Sequence, residues 1–162
     1  TLTINPDCVA VAEMKGAESM QAINAANTGH SVITTIHANS CEDTYYRMVT
    51  LCKQEQPGMD DDTLQSLATK AFPIVAFAKR LEDNSRRMME ITECETLPNG
   101  TRRMRTLYRF HIADSLVVDG KTKIIGQYEN VENLSEGLQK RLRENGLSQK
   151  FLDRMLEGEK KV

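Results

Sequence analysis

Two short apolar runs, separated by an alanine-rich amphipathic stretch, constrain this chain more than any other feature. Cys8-Val9-Ala10-Val11-Ala12 follows the turn-forming Asn5-Pro6-Asp7 and is continuous rather than alternating. That is how a strand covered on both faces of a parallel sheet reads. Ser31-Val32-Ile33-Thr34-Thr35-Ile36 is strongly β-branched and reads as a second buried strand. Between them Ala17, Met20, Ile23 and Ala26 fall at helical spacing, and Thr28-Gly29 supplies a helix stop. A second helix is predicted over residues 42–53. Strand, helix, strand, helix is the alternation of a parallel α/β sheet.

Pro57-Gly58 then breaks the chain, and Asp60-Asp61-Asp62 opens another helix at the end where carboxylates favour the helix dipole. Its apolar face is Leu64, Leu67, Ala68 and Ala71, and residues 72–78 return to an apolar strand. Beyond this the character changes. Residues 86–96 and 102–112 are extended segments joined by the hairpin signal Leu97-Pro98-Asn99-Gly100. Leu116-Val117-Val118 and Ile124-Ile125 flank a second hairpin dipeptide, Asp119-Gly120. Asn133 with Glu136 has the form of a capping box ahead of Leu134, Leu138 and Leu142, Gly146 stops that helix, and Ser148 precedes a last one. The predicted organisation is an α/β core over residues 1–82, antiparallel hairpins over 83–128 and a helical pair over 129–162.

Composition narrows the class. The 162 residues carry 21 Lys+Arg against 23 Asp+Glu, so net charge alone drives no polyanion binding, and no nucleic-acid partner is expected. Cys8, Cys41, Cys52 and Cys94 stand far apart with no C-x-x-C pair, which argues against a zinc module or a disulfide framework; each is expected to be a buried, reduced thiol. No apolar run approaches the ~20 residues of a membrane span, and no signal segment opens the chain. A cytoplasmic protein is expected. Thr1 in place of Met points to a processed product or a piece of a longer chain.

Glu13 is the sharpest candidate for chemistry. It follows a predicted strand directly, and in open α/β sheets ligands collect at the carboxyl ends of strands. An acid there holds a magnesium-bound water or orients an attacking water in phosphoryl transfer; equally, it is a solvated acid paired with Lys15. His30 and His37 flank the second strand. Their odd offset places the side chains on opposite faces of an extended strand, which disfavours a shared metal. Thr28, His30, Thr34, Thr35, His37, Asn39 and Ser40 crowd polar groups around one strand, and buried polar groups need partners.

Two further signals resolve to structure. Gly120-Lys121-Thr122 has the tail of a phosphate-binding loop, but Ser115 stands where the first glycine is required and strand-like residues lie on both sides, so a hairpin is predicted. Arg102, Arg103, Arg105 and Arg109 lie near Tyr108 and Phe110. Shared parity places Arg103, Arg105 and Arg109 on one exposed strand face, read as solvated or subunit-contacting rather than nucleic-acid-binding.

Taken in order, Val9-Ala10-Val11-Ala12-Glu13-Met14-Lys15-Gly16-Ala17-Glu18, Asn27-Thr28-Gly29-His30 and Thr34-Thr35-Ile36-His37-Ala38-Asn39-Ser40 resemble the type II/IV secretion ATPases. The resemblance is nearest to the branch serving Flp, or tight-adherence, pili. It extends through Lys79-Arg80-Leu81-Glu82-Asp83-Asn84-Ser85-Arg86-Arg87 and Leu107-Tyr108-Arg109-Phe110, covering about residues 5–112.

This resemblance implies the C-terminal part of a RecA-like P-loop ATPase domain, with appended hairpins and helices. It implies that Glu13 is the Walker B acid serving Mg2+, through water, and the hydrolytic water. His30 and His37 would be the catalytic histidines of the family's His box, with Thr28, Gly29 and Thr35 positioning the nucleotide and Arg80 and Arg87 as further nucleotide-binding positions. The parent protein would be a homohexamer hydrolysing ATP at the cytoplasmic face of the inner membrane, docked on a platform protein, to drive secretion or pilus assembly.

Two departures accompany the resemblance. Lys15 stands where the family has Arg, so a point charge replaces a planar two-pronged donor. The family's Walker A loop and acidic box have no counterpart here, so this piece is expected to bind ATP and Mg2+ poorly and to be nearly inert. Loss of one preorganised donor alone costs ~10²–10³ in rate. The alternatives are a non-catalytic docking module of a secretion machine and a metal-dependent hydrolase using Glu13, His30 and His37.

Overall fold

The continuous run from Cys8 and the β-branched run from Ser31 do pair in parallel. The computed structural model describes residues 6–157. Strand β1 (Cys8–Val11) lies beside β2 (Ser31–Thr34) with Val9 opposite Val32 and Val11 opposite Thr34. Helix α1 (Glu18–Asn27) forms the crossover, and α2 (Cys41–Cys52) and α3 (Asp61–Ala71) follow. These elements fall within one of two compact units, Thr1–Pro73; the other is Ile74–Val162.

Local chemistry accounts for the helix ends in the first unit. The Glu18 carboxylate, in the first turn of α1, accepts from the backbone N–H groups of Lys15 and Gly16 at 2.6 and 2.9 Å and so fixes the loop that leads into the helix. At the other end Gly29 adopts φ 101°, while the His30 and Gly29 N–H groups donate back to the carbonyls of Ala25 and Ala26. This is the left-handed glycine stop that the sequence predicts. Ser40 caps α2 and Asp60 caps α3, their side chains accepting from Asp43 N and Thr63 N at 3.0 and 2.9 Å. Met14, Ile23, Tyr45, Leu51, Cys52 and Leu64 are fully buried, and the Tyr45 hydroxyl donates to the Phe72 carbonyl at 2.6 Å.

One expectation is overturned here. Neither β1 nor β2 is covered on both faces. Val9, Val11, Val32 and Thr34 are half-buried, whereas Cys8, Ala10, Ser31 and Ile33 face solvent, Ile33 at 65% exposure. Among the described residues the sheet has only these two strands, packed on one side. Cys8 is accordingly an exposed thiol, unlike the buried Cys41, Cys52 and Cys94.

The second unit is built on a four-stranded antiparallel sheet in the order β3-β4-β5-β6: β3 (Ile74–Arg80), β4 (Arg86–Thr96), β5 (Arg102–Val118) and β6 (Lys121–Asn130). The apolar strand that follows α3 thus pairs antiparallel with β4, not in a parallel sheet. Between β5 and β6, Asp119 and Gly120 take φ 51° and 70° and Val118 pairs with Lys121, a two-residue hairpin with both central residues left-handed. The phosphate-loop look-alike is therefore a turn. Residues 102–118 form one strand rather than two, because the break in pattern near Ala113 is absorbed by a bulge between Ile112 and Asp114.

Helices α4 (Glu136–Glu144) and α5 (Gln149–Glu157) complete this unit. Leu107, Leu134 and Leu152 form its core, with Ile91, Leu138, Leu142 and Leu156 packed around them. The cap of α4 is Ser135 rather than Asn133: its Oγ accepts from Leu138 N at 3.1 Å. The shift has a tertiary cause. Buried Glu93 on β4 accepts from both the N–H and the hydroxyl of Ser135, at 2.8 and 2.5 Å, and so sets where the helix begins. No helix among the described residues is long and apolar enough to cross a membrane.

Candidate functional site

Just past β1 and β2, two hydrogen bonds carry the strand pairing beyond the strands themselves. Met14 N donates to the Thr35 carbonyl at 2.8 Å, and the Thr35 hydroxyl donates to the Ala12 carbonyl at 2.6 Å. They fix the backbone on either side of Glu13. Its side chain, 26% exposed, reaches His37 Nε2 at 3.2 Å through Oε1 and Lys15 Nζ at 2.9 Å through Oε2. A carboxylate, an imidazole and an ammonium therefore meet at the carboxyl edge of the parallel pair. The hydrogen bond that Lys15 donates to Glu13, and then the Glu13 charge, hold the Lys15 ammonium above the ordinary lysine range.

The other residues singled out in the sequence fall elsewhere. His30 precedes β2 and His37 follows it, so they are separated by about 20 Å of nearly extended chain. The His30 ring is half-buried, and neither of its nitrogens has a partner among the described residues. Thr28 donates its hydroxyl to the Asn24 and Ala25 carbonyls and Gly29 makes the turn out of α1, so both shape the helix end. Ser40 caps α2. Much of the polar crowding around β2 is thus backbone bracing, and His37 is the member that reaches Glu13. Arg80 and Arg87 lie in the second unit, on β3 and β4.

The donor set can be tested against chemistry. Glu13 offers hard carboxylate oxygens suited to a hydrated magnesium ion, and His37, 94% exposed, leaves the approach open. No glycine-rich loop at a helix N-terminus lies among the described residues to grip phosphates. Nor do three His, Cys, Asp or Glu side chains stand together there to hold a metal ion, which removes the geometric basis of a Glu13–His30–His37 metal centre.

The arginine-rich strand also reads differently in three dimensions. Arg103 and Arg105 both bind Glu132, at 2.5 and 3.2 Å, Arg105 also binds Glu95 at 2.8 Å, and Arg109 binds Glu90 at 3.2 Å. Arg103 and Arg109 are exposed, as their parity suggests, while Arg105 is half-buried, and all three are paired to glutamates within their own unit. Sequence parity cannot see glutamates brought in from other strands.

A parallel strand pair with a crossover helix and an acid at its carboxyl edge defines an open-sheet α/β protein of the kind that binds ligands at that edge. Comparison with known proteins takes this one step further. The family model described as Type II/IV secretion system protein matches residues 1–160, and the chain belongs to that family. It is 38% identical over 58 residues to the type IV secretion system protein VirB11 of Brucella suis biovar 1 (strain 1330), covering 35% of this chain and 16% of the relative. The same figures hold for VirB11 of Brucella abortus biovar 1 (strain 9-941). The crystal structure of the VirB11 ATPase from the Brucella suis type IV secretion system, in complex with sulphate, matches with a TM-score of 0.52 and 27% identity. That match covers 54% of this chain and 28% of the solved one, and it identifies the α/β fold as that of the RecA-like VirB11 ATPase. In each comparison the chain accounts for less than a third of the relative's length.

Proposed function

We propose that this chain supplies the water-orienting acid and a phosphate-responsive histidine to an ATP-driven secretion or pilus-assembly motor. The observation that carries the reading is the pairing of Glu13 with His37 at the strand exits, in a chain of the type II/IV secretion family. Bound magnesium-ATP supplies the activated phosphoryl group and the cation that offsets its charge. Glu13, held in place by the Thr35 and Met14 hydrogen bonds, orients a water molecule and accepts its proton. Lys15 balances the charge of Glu13 between turnovers. His37 is exposed enough to exchange Glu13 for another acceptor, so its position reports what lies in front of the sheet edge.

His30, at the far end of β2, serves coupling between subunits rather than the same phosphate. The phosphate-gripping loop comes from outside these 162 residues. The assembled motor is a homohexamer on the cytoplasmic face of the inner membrane, seated on a platform protein, and Flp or tight-adherence pili are its nearest cargo class.

The test is Glu13→Gln in the assembled, ATP-hydrolysing motor. Nucleotide binding is retained and turnover falls by ~10²-fold or more, the scale of a lost general base. An unchanged kcat would falsify the assignment. The second reading, a non-catalytic docking module, rests on the absence of G-x-x-x-x-G-K-[ST] from the 162 residues. It predicts that Glu13→Gln leaves every ATP-dependent rate of the machine untouched.

A further inference from the structure

Strand β5 pairs with β4 only as far as Arg109, while its pairing with β6 continues to Val118. The far end of this two-stranded arm is apolar on both faces. Val117, 75% exposed, lies on one face, and Leu116 and Val118, also exposed, lie on the other. Exposed apolar residues scattered singly are ordinary, but three in a row at the tip of an arm mark a contact surface. Lys123 stands opposite Leu116 and Lys121 opposite Val118, so both ammonium groups share the Leu116–Val118 face. Among the described residues neither lysine is ion-paired. The Asp83 carboxylate braces the arm below its tip, accepting from Ile124 N at 3.1 Å.

The same unit carries a concave counterpart. Met88, Ile91, Tyr108, Phe110 and Tyr128 line an open apolar groove of about 300 Å³, the lower end of the volumes that hold a ligand. Ile91 and Tyr108 also pack against the Leu107–Leu134–Leu152 core, so the groove is sheet surface that α4 and α5 leave uncovered. Glu90, ion-paired to Arg109, completes its wall, and the exposed Glu129, bound to His111, follows Tyr128 in β6. Groove and tip are thus both apolar, with carboxylates beside one and lysines beside the other. Tyr128 and Lys121 are seven residues apart on one strand, so roughly 23 Å separates them. A braced arm with a two-residue turn does not bend back over that distance, and no chain fills its own groove.

We propose that the β5–β6 tip of one copy of this chain seats in the Met88–Tyr128 groove of a second copy. Val117 and Val118 enter the groove, and Lys121 and Lys123 meet the carboxylates of Glu90 and Glu129. A flat surface covers one face of a hairpin, whereas a groove takes both. Because knob and groove are different surfaces, the contact is heterologous and passes from copy to copy, as a closed ring requires. All of these residues lie in the second unit. The contact extends the homohexamer reading above, yet it forms without ATP, so its loss would leave the Glu13 assignment standing.

Sedimentation velocity on the 162-residue chain over about 10–500 µM tests it, a range suited to a contact of small area. The wild-type mass should climb above the 18.3 kDa monomer as concentration rises. Val117→Asp/Val118→Asp, which spoils the tip, and Met88→Lys/Tyr128→Lys, which blocks the groove, should each stay monomeric. All four side chains are exposed, so both variants keep the wild-type fold, as their amide spectra would show. Mixed together, the two should form a 1:1 complex, since the first retains a groove and the second a tip. Lys121→Glu/Lys123→Glu should weaken association at least roughly tenfold, the scale of placing like charges across a contact, and most at low salt. A wild-type chain that is monomeric throughout, a tip or groove variant that associates as the parent does, or a mixture that remains monomeric overturns the proposal. So does binding to anionic vesicles that needs Val117 and Val118 in a chain that stays monomeric, because the tip would then serve lipid.

Discussion

His37 Nε2 lies 3.2 Å from Glu13 Oε1, whereas His30, at the start of the same strand, has no partner for either ring nitrogen among the described residues. The two histidines that bracket β2 are therefore not equivalent. His37 is almost wholly exposed, so removing its ring leaves no cavity, and Glu13 keeps its Lys15 partner.

From this, His37→Ala in the assembled motor lowers ATP turnover or assembly activity while changing folding stability by less than about 0.5 kcal/mol, as for other surface substitutions. Chemical denaturation and a turnover assay on one preparation check both halves. A wild-type rate at normal stability removes His37 from the mechanism.

Gly29 offers a separate test of structure against chemistry. Its φ of 101° is a left-handed conformation that an L side chain adopts only with strain, although the space a Cβ would enter is open. Gly29→Ala should destabilise the chain by about 1–2 kcal/mol, and Gly29→Asn by less, since Asn tolerates this region. Urea midpoints for the two variants give the comparison; equal midpoints would show that helix termination is not what glycine provides here.

The Glu93–Ser135 latch predicts a larger effect. Ser135→Ala removes both the α4 cap and the hydroxyl donor to a buried carboxylate, at about 2–4 kcal/mol together. Equilibrium unfolding in urea measures it, and a loss below about 0.5 kcal/mol would mean that the carboxylate is satisfied in some other way.

The four thiols should separate cleanly. Cys8 is exposed, and burial pushes the Cys52 thiol up to about 11. Under native conditions at pH 8 a thiol-reactive dye should label Cys8 rapidly and Cys52 only on unfolding, as peptide mapping would reveal. The sign for stability follows by linkage. Between the ordinary thiol value near 9 and the folded value near 11, the unfolded chain loses this proton while the folded chain keeps it. The contribution of Cys52 is therefore full below pH 9 and declines as pH rises toward 11. Cys52→Ala should flatten that decline; an unaltered alkaline limb in the variant would rule Cys52 out as its source.

Much of this architecture was legible along the chain because it is decided within a few residues. The stop at Gly29, the Asp119-Gly120 hairpin and the turn at Leu97-Pro98-Asn99-Gly100 each depend on backbone angles that only certain residues adopt without strain. The parallel pairing of β1 and β2 followed from two runs flanking an amphipathic stretch. Where the reading failed, a distant group intervened. Ser135 displaced Asn133 as a cap because Glu93, 42 residues away, binds it. Arg105 is half-buried and not on an open face, because Glu95 on β4 and the distant Glu132 bind it.

By itself the sequence determined the order of strands and helices, the turns at Gly29 and Asp119-Gly120, and the placement of Glu13 and His37 just after two strands, since propensity and turn chemistry act over a few bonds. Tertiary structure alone decided that Glu13 meets His37 and Lys15, that one face of the β1–β2 pair stays open, and that Glu93 reaches Ser135. These are distances between residues remote in the chain, and they exist only once strands have chosen their register and side chains have been packed on one side or left in water.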